Sequence, residues 1–523
     1  MIGLVGLAEY QQKGVEWMLG RLRRREGVLL GDEMGLGKTL QVLVVLSRLW
    51  SEGWKSVLVL GPTTVLGNWE SDVRKFQIEL PLVVLAADHE DLVGQLRGAD
   101  GKYVVVMGYE LAVRLGKTLL RSYFDVVVMD EAQRVKNRET KIAQLCRRLD
   151  ARAKIAMTGT PIQNNLNELW SLVDIVRPGY LGDSQRFKLE VADPLKKSKL
   201  KRATAEEKSR GAAISEHLQD RLTEIILRRT KEEQQVVQVK LEEIVVNCPL
   251  SKLQQRRYAA ALADDQVRST ILGRTNPLKT IAALRQICSH PRLGRLGLNH
   301  SHSSPARSKS KSNTLPTQTN PNPISTQSKS KLHRLLPAKT ALESGKMQVL
   351  HQLLFQWRKK NKKVLVFSQY REVLDLLEGL ITGHCTRIDG TTPRAKRAAL
   401  IEAFGHQAET EVLLLTTKVG GVGINIQKAD TIVLFDMDWN PFNDEQAKGR
   451  AHRIGQTQDV IVFKFICKGT IEESIYTSQE IKLAISKGVL EGTPSKKAFD
   501  KIDLCRLFHY SYDPLDLTDI SEY

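Results

Sequence analysis

Short apolar runs rich in β-branched residues recur along the chain, separated by stretches with helical periodicity. In the first half these runs lie at 57–60, 104–107, 126–129 and 155–157. The same alternation restarts at 364–367, 412–415, 431–435 and 460–465. Strands that are apolar on both faces and separated by helices are typical of buried parallel sheets. The sequence therefore predicts an α/β chain with two parallel-sheet lobes in tandem.

The chain has 523 residues, more than one hydrophobic core usually serves, so several units are expected. A charged, helical stretch separates the two lobes. Residues 300–331 are rich in Ser, Thr, Asn, Pro and Lys, a composition that predicts disorder. The predicted units are a first lobe at 1–180, helical insertions and an inter-lobe region at 181–295, a disordered insertion at 296–340, a second lobe at 341–480 and a C-terminal brace at 481–523.

The chain is strongly basic, with 78 Lys and Arg against 59 Asp and Glu and a formal net charge of +19. A basic surface suits a polyanionic partner, because contacts with phosphates release bound counterions. Excess charge also serves solubility, so this indication needs support from motifs. We expect no membrane span, no secretory signal and reduced, buried cysteines, since apolar runs are short and the six cysteines lie far apart.

The segment GLGKT at 35–39 predicts a loop that binds the phosphates of ATP. Gly35 and Gly37 let backbone N–H groups approach phosphates. Lys38 is predicted to reach the β- and γ-phosphates, and the hydroxyl of Thr39 is suited to Mg²⁺. Asp32 departs from the usual pattern, which has a glycine at that position.

An acidic pair, Asp130 and Glu131, directly follows the apolar run 126–129. The carboxyl edge of a parallel strand is where α/β folds place their chemistry. We expect Asp130 to coordinate Mg²⁺ and Glu131 to orient or deprotonate the attacking water, since phosphoryl transfer needs neutralised charge and a positioned nucleophile. An acidic turn is usually only solvated, but its combination with Lys38 favours the catalytic interpretation.

The segment QAKGRAHRIGQ in the second half holds Gln446, Arg450 and Arg453. Two guanidinium groups at helical spacing suit a transition state whose charge spreads over the γ-phosphate oxygens. Taken singly, these residues would be ordinary surface arginines. Supplied by the second lobe, they would make hydrolysis depend on closure of the cleft between the lobes.

Together these motifs resemble the SWI/SNF-type branch of helicase superfamily two over residues 7–490. The resemblance rests on GDEMGLGKT at 31–39, DEAQ at 130–133, MTGTPIQNN at 157–165, LRQICSHP at 284–291 and the arginine segment. It implies two RecA-like parallel-sheet lobes in tandem, with helical insertions and a C-terminal helical brace. The family's phosphate loop also lacks the first glycine, so Asp32 fits the resemblance.

The resemblance implies roles for single residues. Gln11 would pair with the adenine edge, while Gln133, Thr158 and Thr160 would couple the nucleotide state to movement. Gln133 replaces the family's usual histidine and keeps the ability to hydrogen-bond. Duplex DNA would lie across both lobes, contacted without reading of bases. The implied contact residues are Pro62, Thr63 and Tyr109 in the first lobe, and Ser368, Gln369, Thr391, Lys418 and Trp439 in the second.

We interpret the chain as an ATP-dependent double-stranded DNA translocase that remodels chromatin or displaces DNA-bound proteins, in transcription regulation or DNA repair, without strand separation. The implied ligands and partners are ATP, Mg²⁺, duplex DNA and nucleosomes or other DNA-bound proteins, with room for accessory subunits. One alternative is a strand-separating DNA or RNA helicase. Another is a non-catalytic DNA-binding scaffold, which the joint presence of the ATP-site residues disfavours.

Two segments favour different subfamilies. GTIEESIY at 469–476 is similar to the recombination and transcription-coupled-repair translocases, whereas AHRIGQ at 451–456 is typical of the nucleosome remodellers. The subfamily therefore stays open. Relatives of both kinds imply a nuclear location, and bacterial members of the family imply the alternative of the nucleoid in the cytoplasm.

Overall fold

The computed structural model describes residues 6–85, 103–159, 166–198, 203–234, 239–271, 274, 277–294, 338–406, 411–417, 426–453 and 456–490. The insertion predicted at 300–331 and the tail after residue 490 lie outside these residues. Within the described ranges the chain forms one seven-stranded and one six-stranded sheet, and all strand pairings are parallel. The predicted α/β class with two parallel-sheet lobes is confirmed.

The first sheet is built from seven strands with the spatial order β3-β4-β2-β5-β6-β1-β7. Its strands are β1 (Val28–Leu30), β2 (Ser56–Gly61), β3 (Leu82–Leu85), β4 (Tyr103–Gly108), β5 (Tyr123–Met129), β6 (Asp150–Met157) and β7 (Ile226–Leu227). Its helices are α1 (Glu9–Arg23), α2 (Lys38–Ser51), α3 (Leu66–Lys75), α4 (Tyr109–Arg114), α5 (Gly116–Leu119), α6 (Lys141–Arg148) and α7 (Leu166–Val176), with a 3₁₀ turn at Ala132–Val135.

Both faces of this sheet are buried, which explains why its strands read as continuous apolar runs. Along β2, Val57 and Val59 join one hydrophobic cluster, while Leu58 and Leu60 join another on the opposite face. Successive side chains of a strand point to opposite faces, so each cluster fills the space between the sheet and one layer of helices.

The second sheet has the strand order β10-β11-β9-β12-β13-β8. Its strands are β8 (Leu241–Cys248), β9 (Lys363–Ser368), β10 (His384–Ile388), β11 (Glu411–Thr416), β12 (Thr431–Leu434) and β13 (Val460–Cys467). Its later helices are α14 (Ala338–Ala341), α15 (Gly345–Lys359), α16 (Arg371–Leu380), α17 (Arg394–Ala403), α18 (Pro441–Lys448) and α19 (Ile471–Leu490). The last of these helices packs against α18 and also reaches a helix of the first-lobe side, Ala205–Thr223.

The stretch between the lobes contains helices, as predicted, and also one strand for each sheet. Its helical elements are α8 (Ser184–Phe187), a π turn at Lys188–Ala192, α9 (Asp193–Ser198), α10 (Ala205–Thr223), α11 (Lys252–Leu262), α12 (Asp265–Ile271) and α13 (Pro277–Ser289). The strand β7 lies beside β1, and β8 lies beside β13 along its whole length. Both strands lie at a sheet edge, and most side chains of β8 are not buried, so no continuous apolar run marks it.

No helix in the described part of the chain combines the length and the apolar character that crossing a bilayer requires. The described cysteines carry free thiols, of which Cys146, Cys248, Cys288 and Cys467 are buried and Cys385 is half-buried. The thiols of Cys288 and Cys467 lie close to the carboxylate of Glu472.

Candidate functional site

The predicted phosphate loop connects β1 to α2 at the carboxyl edge of the first sheet. Gly35 and Gly37 both have positive φ, 94° and 74°, a conformation that glycine adopts without strain. The amino group of Lys38 donates to the carbonyl oxygens of Asp32 and Glu33 at 2.7 and 3.2 Å. Burial lowers the pKa of Lys38 to about 8, and the nearby charge of Glu131 opposes this change. The loop carbonyls thus hold the ammonium of Lys38 close to the carboxylates of Asp130 and Glu131.

Asp32 has a structural role in this loop. Its carboxylate is fully buried and receives hydrogen bonds from Arg229, with 3.0 Å between Nε and Oδ1, and from Gln41 at 3.1 Å. A buried carboxylate is stable only when it is paired and hydrogen-bonded. The ion pair between Asp32 and Arg229 therefore fixes the position of the first residues of the phosphate loop.

The acidic pair follows β5. The carboxylate of Asp130 accepts hydrogen bonds from the Trp69 indole at 3.0 Å and from the Glu131 amide at 2.8 Å. Burial raises the pKa of Asp130 to about 7, and the adjacent charge of Glu131 adds to the rise. Glu131 has a positive φ of 49°, which is unusual for a residue with a side chain and common at functional sites.

A chain of hydrogen bonds runs from the acidic pair to the end of the next strand. Gln133 donates to the Glu131 carboxylate at 2.6 Å, and Gln133 in turn accepts from the hydroxyl of Thr158 at 2.8 Å. Thr158 follows β6 and is buried. The glutamine that replaces the family's usual histidine thus connects the predicted catalytic residue Glu131 to the predicted coupling residue Thr158. The third predicted coupling residue, Thr160, lies outside the described residues.

The arginine segment of the second lobe faces the phosphate loop. Arg450 is only 6% exposed; burial lowers its pKa to about 10, and the charge of Glu131 opposes this change. Burial likewise lowers the pKa of Arg453, against the charge of Asp72 on α3. A Cβ atom added to Gly35 would lie 3.0 Å from Cγ of Arg453. The two lobes therefore bring both arginines to the site that holds Lys38.

Two glutamines predicted for the site differ in their surroundings. The side-chain amide of Gln11 donates to the carbonyl of Leu36 at 3.2 Å, and its Nε2 would lie 2.6 Å from a Cβ placed on Gly37. Gln11 is therefore in contact with the phosphate loop. Gln446 lies on α18, one turn before Arg450, and is half-buried.

The residues predicted to contact DNA fall into two groups. Thr63 and Thr391 are exposed, and the ring of Trp439 is 39% exposed, with the ammonium of Lys482 5.1 Å from its centroid. Trp439 is thus a surface residue and not part of the core. Gln369 is half-buried, and its amide donates to the carbonyl of Met437 at 2.7 Å.

The other group is buried. The ring of Tyr109 lies in the first-lobe core and its hydroxyl donates to the carbonyl of Asp130 at 2.8 Å. Ser368 is fully buried and its hydroxyl donates to Asp436, while Pro62 is also buried. We predicted that these three residues contact DNA. Their side chains do not reach the surface in this structure, so they cannot make those contacts in this state. Lys418 lies outside the described residues.

The sequence profile of the SNF2-related domain matches residues 10–293, more than half of the chain. The chain belongs to the SNF2-related family. The profile of the helicase conserved C-terminal domain matches residues 345–455, which contain most of the second sheet and both arginines, Arg450 and Arg453. The predicted membership of the SWI/SNF-type branch is confirmed.

Relatives of this SNF2-related chain include the DNA excision repair protein CSB of Oryza sativa subsp. japonica and Protein CHROMATIN REMODELING 8 of Arabidopsis thaliana. Each is 33% identical, with 96% of this chain and 43% of the relative aligned. The DNA repair and recombination protein RAD26 of Saccharomyces cerevisiae is 30% identical over 96% of this chain and 48% of its own length. The chain thus spans less than half the length of these relatives.

A solved structure with similarity to the chain is the Sulfolobus solfataricus SWI2/SNF2 ATPase core in complex with dsDNA. It is 27% identical, the alignment covers 97% of this chain and 98% of that chain, and the TM-score is 0.43.

Three residues of the site were not predicted as such from the sequence: Asp32, Arg229 and Trp69. Asp32 was noted only as a departure from the loop pattern, and its partner Arg229 lies 197 residues away. Trp69 is on α3, and its fully buried indole reaches Asp130. The available signals were an acidic residue in a glycine-rich loop, which needs a cationic partner once buried, and a tryptophan whose indole N–H needs an acceptor.

Proposed function

We propose that the chain hydrolyses ATP in the cleft between its lobes and uses the cycle to move along double-stranded DNA without separating the strands. One observation carries this proposal: two arginines of the second lobe reach the site in the first. Arg450 lies close enough to Glu131 for the two charges to interact, and Arg453 packs beside Gly35. Catalytic groups divided between two lobes make chemistry depend on closure, which is what a motor requires.

The first lobe would bind the nucleotide. Backbone N–H groups around Gly35 and Gly37, together with the ammonium of Lys38, would bind the phosphates, and Gln11 would pair with the adenine edge. The hydroxyl of Thr39 and the carboxylate of Asp130 are the hard oxygen donors that Mg²⁺ prefers. Bound there, Mg²⁺ would neutralise charge on the transferred phosphoryl group.

Hydrolysis would follow from residues of both lobes. Glu131, oriented by Gln133, would position the attacking water and accept its proton. Arg450 and Arg453, together with Gln446, would stabilise the charge that develops on the γ-phosphate oxygens. Because Gln133 also contacts Thr158, it offers a route by which the state of the nucleotide can affect the segment that follows β6.

The charge of the chain favours a polyanionic partner, and we propose that this partner is duplex DNA. Thr63, Thr391 and Trp439 are the exposed contact candidates, joined by Gln369 and Lys418. Hydroxyls, amides and one aromatic ring contact the backbone without reading bases, so we expect no sequence preference. The names of the relatives, a repair protein, a repair and recombination protein and a chromatin-remodelling protein, support a role in DNA repair or chromatin remodelling.

We further propose that the chain works in the nucleus on nucleosomes or other DNA-bound proteins, with accessory subunits. Within it, residues 1–180 would bind ATP, and residues 341–480 would supply the arginines and most of the DNA contacts. The region 181–295 would join these lobes, 296–340 would be an insertion and 481–523 would form a brace.

The proposal is tested by measuring ATP turnover with duplex DNA, single-stranded DNA and RNA at equal nucleotide concentration. We expect strong stimulation by the duplex and displacement of a DNA triplex without unwinding of a forked duplex. Greater stimulation by single strands, or efficient fork unwinding, would instead support a strand-separating helicase.

A further inference from the structure

Residues 228–231 follow β7 and run behind the phosphate loop, where no motif assigned them a function. Arg228 donates to the carbonyl of Gly31 at 2.9 Å, and Arg229 forms the buried ion pair with Asp32. The carbonyl of Arg229 also accepts from the amide of Glu33 at 2.9 Å. This short segment is therefore bonded to the loop at several consecutive positions.

Lys231, the next residue, connects the loop to the second lobe. Its backbone amide donates to Oε2 of Glu33 at 2.8 Å, and its ammonium lies 3.4 Å from Oε1 of the same carboxylate. The ammonium also donates to the carbonyl of His452 at 2.6 Å. His452 stands between Arg450 and Arg453 in the chain, so one ammonium joins the phosphate loop to the arginine segment.

Lys231 and Arg453 also pack over the same glycine. A Cβ atom at Gly35 would lie 3.2 Å from Cε of Lys231 and 3.0 Å from Cγ of Arg453. Gly35 thus allows both side chains to approach the loop closely, and any movement of one changes the space available to the other.

The burial of Lys231 makes its second-lobe partner energetically important. The residue is only 5% exposed, and burial lowers its pKa while Glu33 opposes that change. A buried ammonium needs several acceptors to remain charged at low cost. When the lobes separate, the His452 carbonyl is lost as an acceptor and water takes its place. In the closed cleft, the His452 carbonyl is therefore what compensates this ammonium for the water it loses.

We propose that Lys231 is a positioning residue that holds Arg450 and Arg453 over the phosphate loop when the cleft closes, by bridging Glu33 and the backbone of His452. It does not contact the reacting atoms itself. This inference rests on the proposed ATP hydrolysis. It adds to that proposal one residue of the inter-lobe segment, Lys231, whose bond to His452 forms when the two lobes close.

The first test compares Lys231→Met with the matched control Lys240→Met, an exposed lysine of the same segment. Loss of one charge-assisted hydrogen bond should lower kcat for DNA-stimulated hydrolysis roughly 10-fold, while KM for ATP changes less than about twofold. The control should keep the wild-type values. An unchanged kcat, or a raised KM at unchanged kcat, would overturn the inference.

A double-mutant cycle separates positioning from general stability. If Lys231 acts through the arginine segment, Lys231→Met should cost less than about threefold in an Arg453→Ala background. Losses that multiply fully would show that Lys231 acts independently of Arg453 and would contradict the inference. Lys231→Arg should restore part of the lost turnover because it keeps the positive charge.

A direct measurement of closure needs no hydrolysis and therefore judges Lys231 even if duplex DNA fails to stimulate turnover. Dyes on Ser71→Cys and Ala403→Cys, in a Cys385→Ser and Cys505→Ser background, would report inter-lobe distance by energy transfer. With a non-hydrolysable ATP analogue, Lys231→Met should populate the closed state less than wild type and Lys240→Met. Equal closed populations in all three would refute the bridging role.

Discussion

The two sides of the cleft hold their functional residues in different ways. On the first-lobe side, Lys38 is bonded to two loop carbonyls and Asp130 to the indole of Trp69, all within one lobe. On the second-lobe side, Arg450 and Arg453 face carboxylates of the other lobe. The first half of the site is therefore assembled by folding, whereas the second half is assembled by closure. This difference predicts that nucleotide binding and hydrolysis can be separated by mutation.

Removing Lys38 should lower ATP turnover more than any other change, because this lysine belongs to the half of the site that is already assembled in the folded first lobe. We expect Lys38→Ala to lower ATP turnover by at least about 1,000-fold and to weaken ATP binding, since the phosphates lose their ammonium partner. Duplex DNA binding, measured by fluorescence anisotropy, should persist. The exposed Lys13→Ala serves as control, and equal turnover in Lys38→Ala and wild type would show that the catalytic assignment is wrong.

Removing an arginine should separate the two steps. We expect Arg450→Ala to lower turnover about 100- to 1,000-fold while the Kd for ATP, measured without DNA, stays within about threefold. The reason is that Arg450 reaches the site only from the second lobe. The surface variant Arg358→Ala should match wild type. If affinity fell as much as turnover, the arginine side would be part of the binding site, and the distinction between the two halves would fail.

Breaking the ion pair between Asp32 and Arg229 should destabilise the first-lobe half of the site. Arg229→Met leaves the carboxylate of Asp32 buried beside Gln41 alone, which should cost about 3 kcal/mol of first-lobe stability. Urea unfolding followed by tryptophan fluorescence would measure this loss, together with weaker ATP binding. Adding Asp32→Asn should recover part of the stability, because it removes the unpaired charge. An unchanged unfolding midpoint in Arg229→Met would contradict the structural role of the pair.

The smallest effect is expected at Glu243 on β8, whose carboxylate has no role in the proposed hydrolysis and pairs with Lys448 and Lys464. Burial would raise the pKa of this carboxyl, but the ammonium groups of Lys448 and Lys464 outweigh it and hold the pKa at about 2. Glu243→Gln should cost about 1 to 2 kcal/mol at neutral pH: the carboxylate is about one-third exposed, which weakens the ion pairs, but the ammonium groups of Lys448 and Lys464 that lose it are buried.

The pH dependence of this effect has a definite sign. A carboxyl whose pKa is depressed by folding contributes its stability above the unfolded pKa, near 4.3, and loses it as the pH falls toward 2. The difference in unfolding midpoint between wild type and Glu243→Gln should therefore shrink between pH 5 and pH 2. A difference that persists at pH 2 would contradict the ion pairs as its cause.

Much of the fold was predictable because the central strands are buried on both faces. All eight predicted runs lie within strands of the structure, apart from the last residue of 431–435. The strands without a predicted run are the four edge strands β3, β7, β8 and β10, and β1, which is only three residues long. β8 in addition has no continuous apolar run. Burial on both faces leaves a mark on the local sequence, and an edge position does not.

The site was predictable where function depends on local spacing, as at Lys38 and the acidic pair. Distant pairs were not predictable. The partner of Asp32 is 197 residues away, and nothing near Tyr109 in the sequence shows that its hydroxyl bonds to the backbone of Asp130. Such contacts arise from the order of the strands. Because the strands are parallel, the residues that follow β1, β5 and β7 all lie at the carboxyl ends of the sheet.

The edge strands β7 and β8 have a consequence for the energetics of the motor. Only the thirteen residues 228–240 join them, a tether that spans at most about 45 Å when fully extended. Each lobe therefore experiences the other at an effective concentration on the order of millimolar. Contacts that are too weak to hold two separate proteins together can therefore still control whether the two lobes associate. Small changes in the nucleotide or in the DNA contacts can thus shift the equilibrium between open and closed lobes.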